Sequence, residues 1–101
     1  MKIVIIGDKT IVLGCALAGI REGYVAGDIN NAREFFSRCV ERTDIGVILI
    51  GAEVAAMIPK EIQHAKRSSR LIPVITVVPG ERDGMSPMSL QNQRDENVQE
   101  N

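Results

Sequence analysis

Residues 3–8 read Ile-Val-Ile-Ile-Gly-Asp, and this short stretch decides the fold. Its consecutive aliphatic residues leave no polar side for water, which is typical of a strand buried on both faces of a parallel sheet. The Gly-Asp pair then ends the run and turns the chain. A second aliphatic run, Ile-Gly-Val-Ile-Leu-Ile at 45–50, has the same character and predicts the central strand. The sequence therefore predicts an α/β protein built on a parallel sheet.

The segments between these runs have helical periodicity. Residues 11–20 are predicted to form a helix that docks on the sheet through a stripe made of Leu13, Ala16, Leu17 and Ile20. Asn31 and Glu34 resemble a capping box and open a strongly amphipathic second helix. Residues 53–68 predict a third helical segment, which Pro59 should kink or split into two abutting helices because proline lacks the amide donor.

Two shorter strands complete the predicted sheet, at residues 24–26 and 72–78. Pro73 cannot donate to a ladder, so the last strand should lie at a sheet edge or begin near this residue. Parallel strands that alternate with helices need right-handed crossovers over the faces of the sheet. By analogy with doubly wound folds, we expect a four-stranded sheet in the order 2-1-3-4, flanked by helices and Rossmann-like or receiver-like.

The composition limits the domain count and the classes of function. A length of 101 residues leaves room for one small domain. The chain carries 12 Lys plus Arg against 13 Asp plus Glu, so it has no general excess of positive charge. Without a basic stripe, nucleic-acid binding is not expected. The first apolar run is too short for a signal-peptide core or a membrane span. Cys15 and Cys39 lack CxxC spacing and a neighbouring His/Cys cluster, so we expect buried reduced thiols, no zinc and a cytoplasmic protein.

The composition changes after residue 80. We expect a folded domain over residues 1–80 and a flexible polar tail over residues 81–101. The tail has five acids and two bases, net -3, which leaves eight acids and ten bases, net +2, in the domain. Its aliphatic and thioether side chains are too few to offset the entropy of ordering. They are Met85, Met88, Leu90 and Val98.

The loop Gly7–Thr10 lies between a strand and a helix, where phosphate groups are commonly bound. Walker spacing would need glycine at positions 3 and 8, which are Ile3 and Asp8. The alternative is that Asp8 or Thr10 caps the helix. Catalysis by His64 would need a hydrogen-bonded nucleophile or an orienting carboxylate, and the neighbouring sequence offers only Glu61, so His64 is expected to be a solvated surface residue.

The central strand ends in Ile-Gly-Ala at 50–52, where a receiver would carry its phosphoacceptor aspartate, so aspartyl phosphorylation is not expected. On the first helix, the side opposite the predicted stripe has no charged or amide group. This outward side is expected to contain Ile11, Val12, Cys15 and Ala18. Either a partner covers this side, or its residues are small enough for exposure to cost little, and both interpretations stay open.

Three segments together resemble the F subunit of archaeal and other V/A-type ATPases. They are Gly7–Gly19, Asp44–Ile50 and Ile72–Ile75, the last followed by a Pro-Gly break at 79–80. No segment is distinctive alone, but their order, their spacing and a length near that of the short archaeal form make the combination specific. The resemblance covers about residues 1–80.

The resemblance implies a noncatalytic subunit of the rotating central stalk, without a cofactor, peripheral on the cytoplasmic side of the cell membrane. Its partners would be the coiled-coil D subunit of the stalk and the nucleotide-binding A and B subunits of the head, in a complex that couples ATP synthesis or hydrolysis to ion transport. The candidate partner-binding residues are Asp8, Lys9, Thr10, Ile11, Cys15, Met85, Met88, Leu90, Arg94 and Val98.

In this family the C-terminal segment is a movable element that can meet the head. Family tails commonly carry a basic, aliphatic helical stretch, whereas residues 85–101 here are rich in Gln and Asn. A contact with so few apolar groups should be weak, because ordering the tail costs free energy. The alternative function from a different class is a stand-alone domain that binds a phosphorylated ligand at residues 7–10.

Overall fold

The sheet has four parallel strands: β1 (Lys2–Gly7), β2 (Glu22–Val25), β3 (Ile45–Gly51) and β4 (Val74–Val78). Their order is β2-β1-β3-β4, which confirms the prediction. Pro73 lies just before the first residue of β4, which is an edge strand, so its missing amide donor interrupts no ladder. The computed structural model describes residues 1–68 and 70–80, and the predicted tail at 81–101 lies outside the described residues.

The helices are α1 (Lys9–Leu17), α2 (Ile29–Glu41), α3 (Ala52–Met57) and α4 (Pro59–Arg67). The predicted split at Pro59 is confirmed, since this residue opens α4 at a position where no amide donor is needed. The capping box predicted at Asn31 is wrong. α2 begins earlier, because Asp28 is its N-cap and the Asp28 carboxylate accepts a hydrogen bond from the Asn31 amide at 2.8 Å.

The helices are divided unequally between the two faces of the sheet. The step from β1 to β2 runs in one direction across the sheet, and the later steps to β3 and β4 run in the other. Right-handed crossovers that run in opposite directions lie on opposite faces. Accordingly α1 is the one helix of the described chain on its face, and α2, α3 and α4 cover the other.

The core lies on the face covered by three helices, which we call the closed face. Alternate residues of a strand point to opposite faces, so Val4, Ile6, Ile48 and Ile50 belong to this face. All four are fully buried. They pack against Ala32, Phe36, Cys39, Val54, Ile58 and Ile62 of the covering helices and the α3–α4 junction. The opposite face, to which Ile3, Ile5, Val47, Leu49, Val74 and Thr76 belong, we call the open face.

α1 turns a different side to the sheet from the one predicted. Leu13, Ala16 and Leu17 of the predicted stripe are exposed, with 58% of Leu13 and 83% of Leu17 accessible to solvent. Its fourth residue, Ile20, is half-buried and lies beyond the end of α1. Ile11 lies instead against Gly7 and Gly51, and Val12 lies against Gly23. These glycines lack the Cβ atoms that would hold the helix away from the sheet. Hydrophobic periodicity could not select this side, because residues 11–17 of α1 are apolar all round.

This orientation corrects the position predicted for several residues of α1. Ile11, Val12 and Cys15 are half-buried on the side that faces the sheet, whereas they were expected on the outward side. Ala18 is exposed, as expected. Leu13 and Leu17, rather than Ile11 and Cys15, are therefore the large apolar side chains that α1 presents to solvent.

Candidate partner interface

Apolar side chains cross the open face in register. Ile3, Val47 and Val74 are aligned on β1, β3 and β4, and we call these residues the lower row. The next two rows are Ile5, Leu49 and Thr76, and then Gly7, Gly51 and Val78, with no charged residue in any of the three.

The lower row is only partly covered. Solvent reaches 47% of Ile3 and 52% of Val74, while Val47 between them is half-buried. Complete burial of such a side chain is worth about 1.5–3 kcal/mol relative to full exposure. A contiguous apolar surface of this kind is typical of a protein interaction site, and the sheet position makes it rigid.

The flank of α1 that carries the small residues Gly14 and Ala18 borders this surface. Ile11 points toward β3, where it contacts Gly51, and Val12 points toward β2, where it contacts Gly23. At 100° per residue, Gly14 and Ala18 lie on the side of Ile11, next to the uncovered strands. No atom lies within 4 Å of the position that a Gly14 Cβ would occupy. A partner could therefore approach the backbone of α1 closely along this flank.

The loop before α1 is already capped. Asp8 Oδ1 accepts a hydrogen bond from the Ile11 amide at 2.8 Å, which confirms the capping interpretation for Asp8. A phosphate at this helix N-terminus would compete with the carboxylate for the amide and would be repelled by its charge. The structure therefore argues against the phosphorylated-ligand alternative at residues 7–10.

The predicted binding residues occupy different surroundings. Asp8 and Ile11 are brought together by the helix cap, Lys9 and Thr10 are exposed, and Cys15 is half-buried beside the sheet. None of their predicted contacts with partners is tested by these positions. The predicted tail residues lie outside the described part of the chain. These are Met85, Met88, Leu90, Arg94 and Val98.

The lower row was not predicted as a surface. Residues 3 and 47 belong to strands predicted as buried, and residue 74 belongs to a strand predicted to lie at an edge or to begin near Pro73, so the exposure of this row on one face could not be inferred from residue chemistry. The signal was available in the predicted order 2-1-3-4, because right-handed crossovers in that order place a single helix on one face. One helix cannot cover four strands.

The charged residues nearest the sheet form a clamp on the closed side. Arg42, which follows α2, donates hydrogen bonds to the carboxylates of Glu22 and Asp44. These bonds lower the pKa of Asp44 to about 2 and also lower the pKa of Glu22. The Tyr24 hydroxyl donates to Glu22 as well, and this bond raises the pKa of Tyr24. The cluster ties β2 to β3 through paired charges and is a structural element.

Other groups with catalytic chemistry are dispersed. His64 is exposed, as predicted, and Cys39 is buried, where desolvation raises the pKa of its thiol. Among residues 1–68 and 70–80, no three His, Cys, Asp or Glu side chains are grouped so as to hold a metal ion. No helix in that same part of the chain has the length and apolarity to cross a bilayer.

The fold and the open face define a small parallel α/β domain with a candidate surface for binding another protein. Comparison with known families agrees with this class. The family model described as ATP synthase (F/14-kDa) subunit matches residues 3–96, and the chain belongs to this family. The match confirms the resemblance drawn from the sequence and extends it beyond residue 80.

Individual proteins similar to this chain are also named as F subunits of ATP synthases. The F subunit of the A-type ATP synthase of Methanocorpusculum labreanum is 30% identical over 86 residues, which cover 85% of each chain. That of Thermococcus kodakarensis is 36% identical over 83 residues, or 78% of this chain and 74% of the relative. The F subunit of the V-type ATP synthase of Fusobacterium nucleatum is 28% identical over 85 residues, or 84% and 77% of the two chains. These relatives support membership of an ATP synthase complex.

Proposed function

We propose that this chain is a noncatalytic subunit of the rotating central stalk of an A/V-type ATP synthase, where it binds the coiled-coil D subunit of the stalk. The observation that carries the proposal is the partly exposed lower row of the open face, formed by Ile3, Val47 and Val74. Family membership supplies the complex in which such a surface has a partner. In that complex the subunit is peripheral, on the cytoplasmic side of the membrane.

The subunit acts through shape and adhesion and makes or breaks no covalent bonds. Among the described residues, the groups with nucleophilic or acid–base chemistry support this proposal, because outside the Arg42 clamp they lie apart from one another, and within the clamp the carboxylates are paired with Arg42. Cys39 is buried in the core, His64 is exposed on α4, and the Asp8 carboxylate is engaged in a helix cap. Nucleophilic catalysis needs a nucleophile and its base within hydrogen-bond reach.

The loop before α1 contributes to partner contacts at the carboxyl-terminal end of the parallel strands, through Asp8, Lys9 and Thr10. Ile11 and Cys15 support this region from beneath, because both are half-buried between α1 and the sheet. We assign the contact with the A and B subunits to the tail, through Met85, Met88, Leu90, Arg94 and Val98. This contact is weak, because few apolar groups offset the entropy of ordering the segment.

Binding of purified partners tests the proposal. The full chain should form a saturable complex with the coiled-coil subunit of the same organism in isothermal titration calorimetry. A variant that ends at residue 80 keeps the whole core and should bind the coiled-coil subunit equally well, but it should lose contact with the A and B subunits. Unchanged binding of this variant to all the partners would contradict the role of the tail. Absence of binding between the full chain and the coiled-coil subunit would contradict the stalk assignment.

A further inference from the structure

In the described part of the chain, residues 1–68 and 70–80, the open face has room for one more helix. An α-helix is about 10 Å across, and neighbouring strands are about 4.8 Å apart, so one helix covers about two strands. α1 lies mainly over β1 and β2, with Val12 against Gly23, and Ile11 alone is seen to reach β3, at its last residue Gly51. The part of the open face over β3 and β4 is therefore about as wide as a single helix. We call this space, between α1 and β4, the open-face groove.

The floor and one wall of the groove are apolar. The floor consists of Val47, Leu49, Val74 and Thr76, in which a threonine hydroxyl is the only polar side-chain group. The wall is the flank of α1 with Gly14 and Ala18, both exposed. Small residues on one helix let a second helix approach closely, which increases their dispersion contact.

The chain's own tail does not have the pattern that this groove requires. A helix that fills an apolar groove presents apolar residues at about i, i+3 or i+4, and i+7. In the tail, Met85 and Met88 are separated by Pro87, and the following positions of that stripe are Asn92 and Asp95. The tail also carries a net charge of -3 from five acids and two bases, whereas the groove floor has no charged residue to pair with it.

We infer that one helix of the coiled-coil stalk subunit lies in the open-face groove, beside α1, with its apolar stripe on Val47 and Val74 and its backbone close to Gly14. This inference rests on the proposed function and specifies where and how the partner binds. The partner helix would complete a second layer on the open face and would bury the lower row. Leu13 and Leu17 point away from the sheet, so they are not part of this contact.

Substitution of Gly14 tests the wall of the groove. In Gly14→Leu the new side chain points into open space, so the free chain should keep its fold and its thermal stability or gain some, because glycine is a poor helix former. Binding to the purified coiled-coil subunit should weaken by about tenfold or more, because the leucine occupies the space of the partner helix. The matched control is Ala16→Leu on the opposite flank of α1, which should change the affinity by less than about twofold.

Two valines of β4 test the floor. Val74 lies on the open face, and Val77 lies on the other face of the same strand with a comparable exposure of 41%. Val74→Lys should weaken binding about tenfold or more because a charge would be buried under the partner helix, and Val77→Lys should change it by less than about twofold. Circular dichroism of the four free variants shows whether each keeps its fold.

The outcomes separate the inference from the proposed function. Binding by the wild-type chain together with normal binding by folded Gly14→Leu and Val74→Lys would overturn the inference and leave the stalk assignment intact. Absence of wild-type binding would overturn both. Amide shifts of Val47 and Val74 on removal of residues 81–101 would assign the groove to the tail and overturn the inference. If the wild-type chain self-associates and Gly14→Leu abolishes this association, the groove would be assigned to a second copy of the chain, and the inference would be overturned.

Discussion

Ile11 and Gly51 are in direct contact across the open face: a Cβ at position 51 would lie 3.0 Å from Cδ1 of Ile11. Gly7 receives the same side chain, since a Cβ at position 7 would lie 3.2 Å from Cγ2 of Ile11. The close approach of α1 to the sheet therefore depends on glycine in two neighbouring strands. This approach also sets the position of the flank of α1 that borders the open-face groove.

The contact between Ile11 and Gly51 predicts the effect of a single methyl group. Gly51→Ala should lower the free energy of unfolding by about 1 kcal/mol, because Cδ1 of Ile11 must move by a few tenths of an ångström within a packed contact. Gly14→Ala is the matched control, since no atom lies within 4 Å of its new methyl group. It should raise the stability by about 0.5–1 kcal/mol through helix propensity. Urea unfolding of both variants measures the difference, and equal stabilities would contradict the described packing of α1.

The Arg42 clamp predicts the pH dependence of stability. The folded pKa of Asp44 is about 2, below its ordinary value of 3.8, and the pKa of Glu22 is also lowered. Their stabilising contribution is therefore complete above the ordinary values and is lost as the pH falls toward 2. In Arg42→Leu the hydrogen bonds to Asp44 and Glu22 are lost, so the pKa values of these carboxyl groups are no longer lowered by them. The variant should be less stable at neutral pH, and its stability should fall less steeply in acid.

Urea unfolding at neutral pH and through the interval from pH 4.5 to about 2 checks this expectation. Arg38→Leu is a suitable control, because Arg38 forms an exposed ion pair with Glu34 on α2 at 2.5 Å. Such a pair contributes only about 0.2–0.5 kcal/mol. A parallel acid dependence in wild type and Arg42→Leu would show that the clamp does not couple these carboxylates to folding.

The two cysteines should react at different rates. Cys39 is 1% exposed, and burial raises the pKa of its thiol, whereas Cys15 is half-buried at the surface of the sheet. The thiolate is the reactive form, so Cys39 should react with a disulfide reagent only after local opening of the fold. Kinetics with Ellman's reagent on Cys15→Ser and Cys39→Ser assigns each phase. Faster modification of Cys39 than of Cys15 would be inconsistent with this core.

The cap of α2 gives a direct test of the corrected helix start. Asp28→Ala should cost about 0.5–2 kcal/mol, because the Asn31 amide loses its acceptor. Asn31→Ala should cost less, since Asn31 acts in this bond through its backbone and is not the cap. Thermal unfolding of the two variants distinguishes an N-cap at Asp28 from one at Asn31. A larger loss for Asn31→Ala would favour the capping box at residues 31–34.

Much of the fold could be predicted because each strand has a local signal. The aliphatic runs at 3–6 and 45–50 fix the two central strands, and Pro59 fixes the break between α3 and α4. The orientation of α1 could not be predicted in this way. Its apolar residues surround the helix, so the choice of side depends on glycines at 7, 23 and 51, which come together only in the folded sheet.

The candidate interface was harder to predict than the fold. Val74 and Ile3 are ordinary β-strand residues, and only the absence of a second helix on their face in the described chain makes them a surface. The candidate residues at 8–10 belong to a loop motif, and one of them, Asp8, forms a helix cap. Local patterns identify elements, whereas exposure depends on how many helices the topology places on each face.

Calorimetric titration of the full chain with the purified coiled-coil stalk subunit tests the central claim most directly. We predict one-to-one saturable binding that Val74→Lys weakens by about tenfold or more and that Val77→Lys leaves nearly unchanged. A wild-type chain that is folded and does not bind the stalk subunit would contradict this claim.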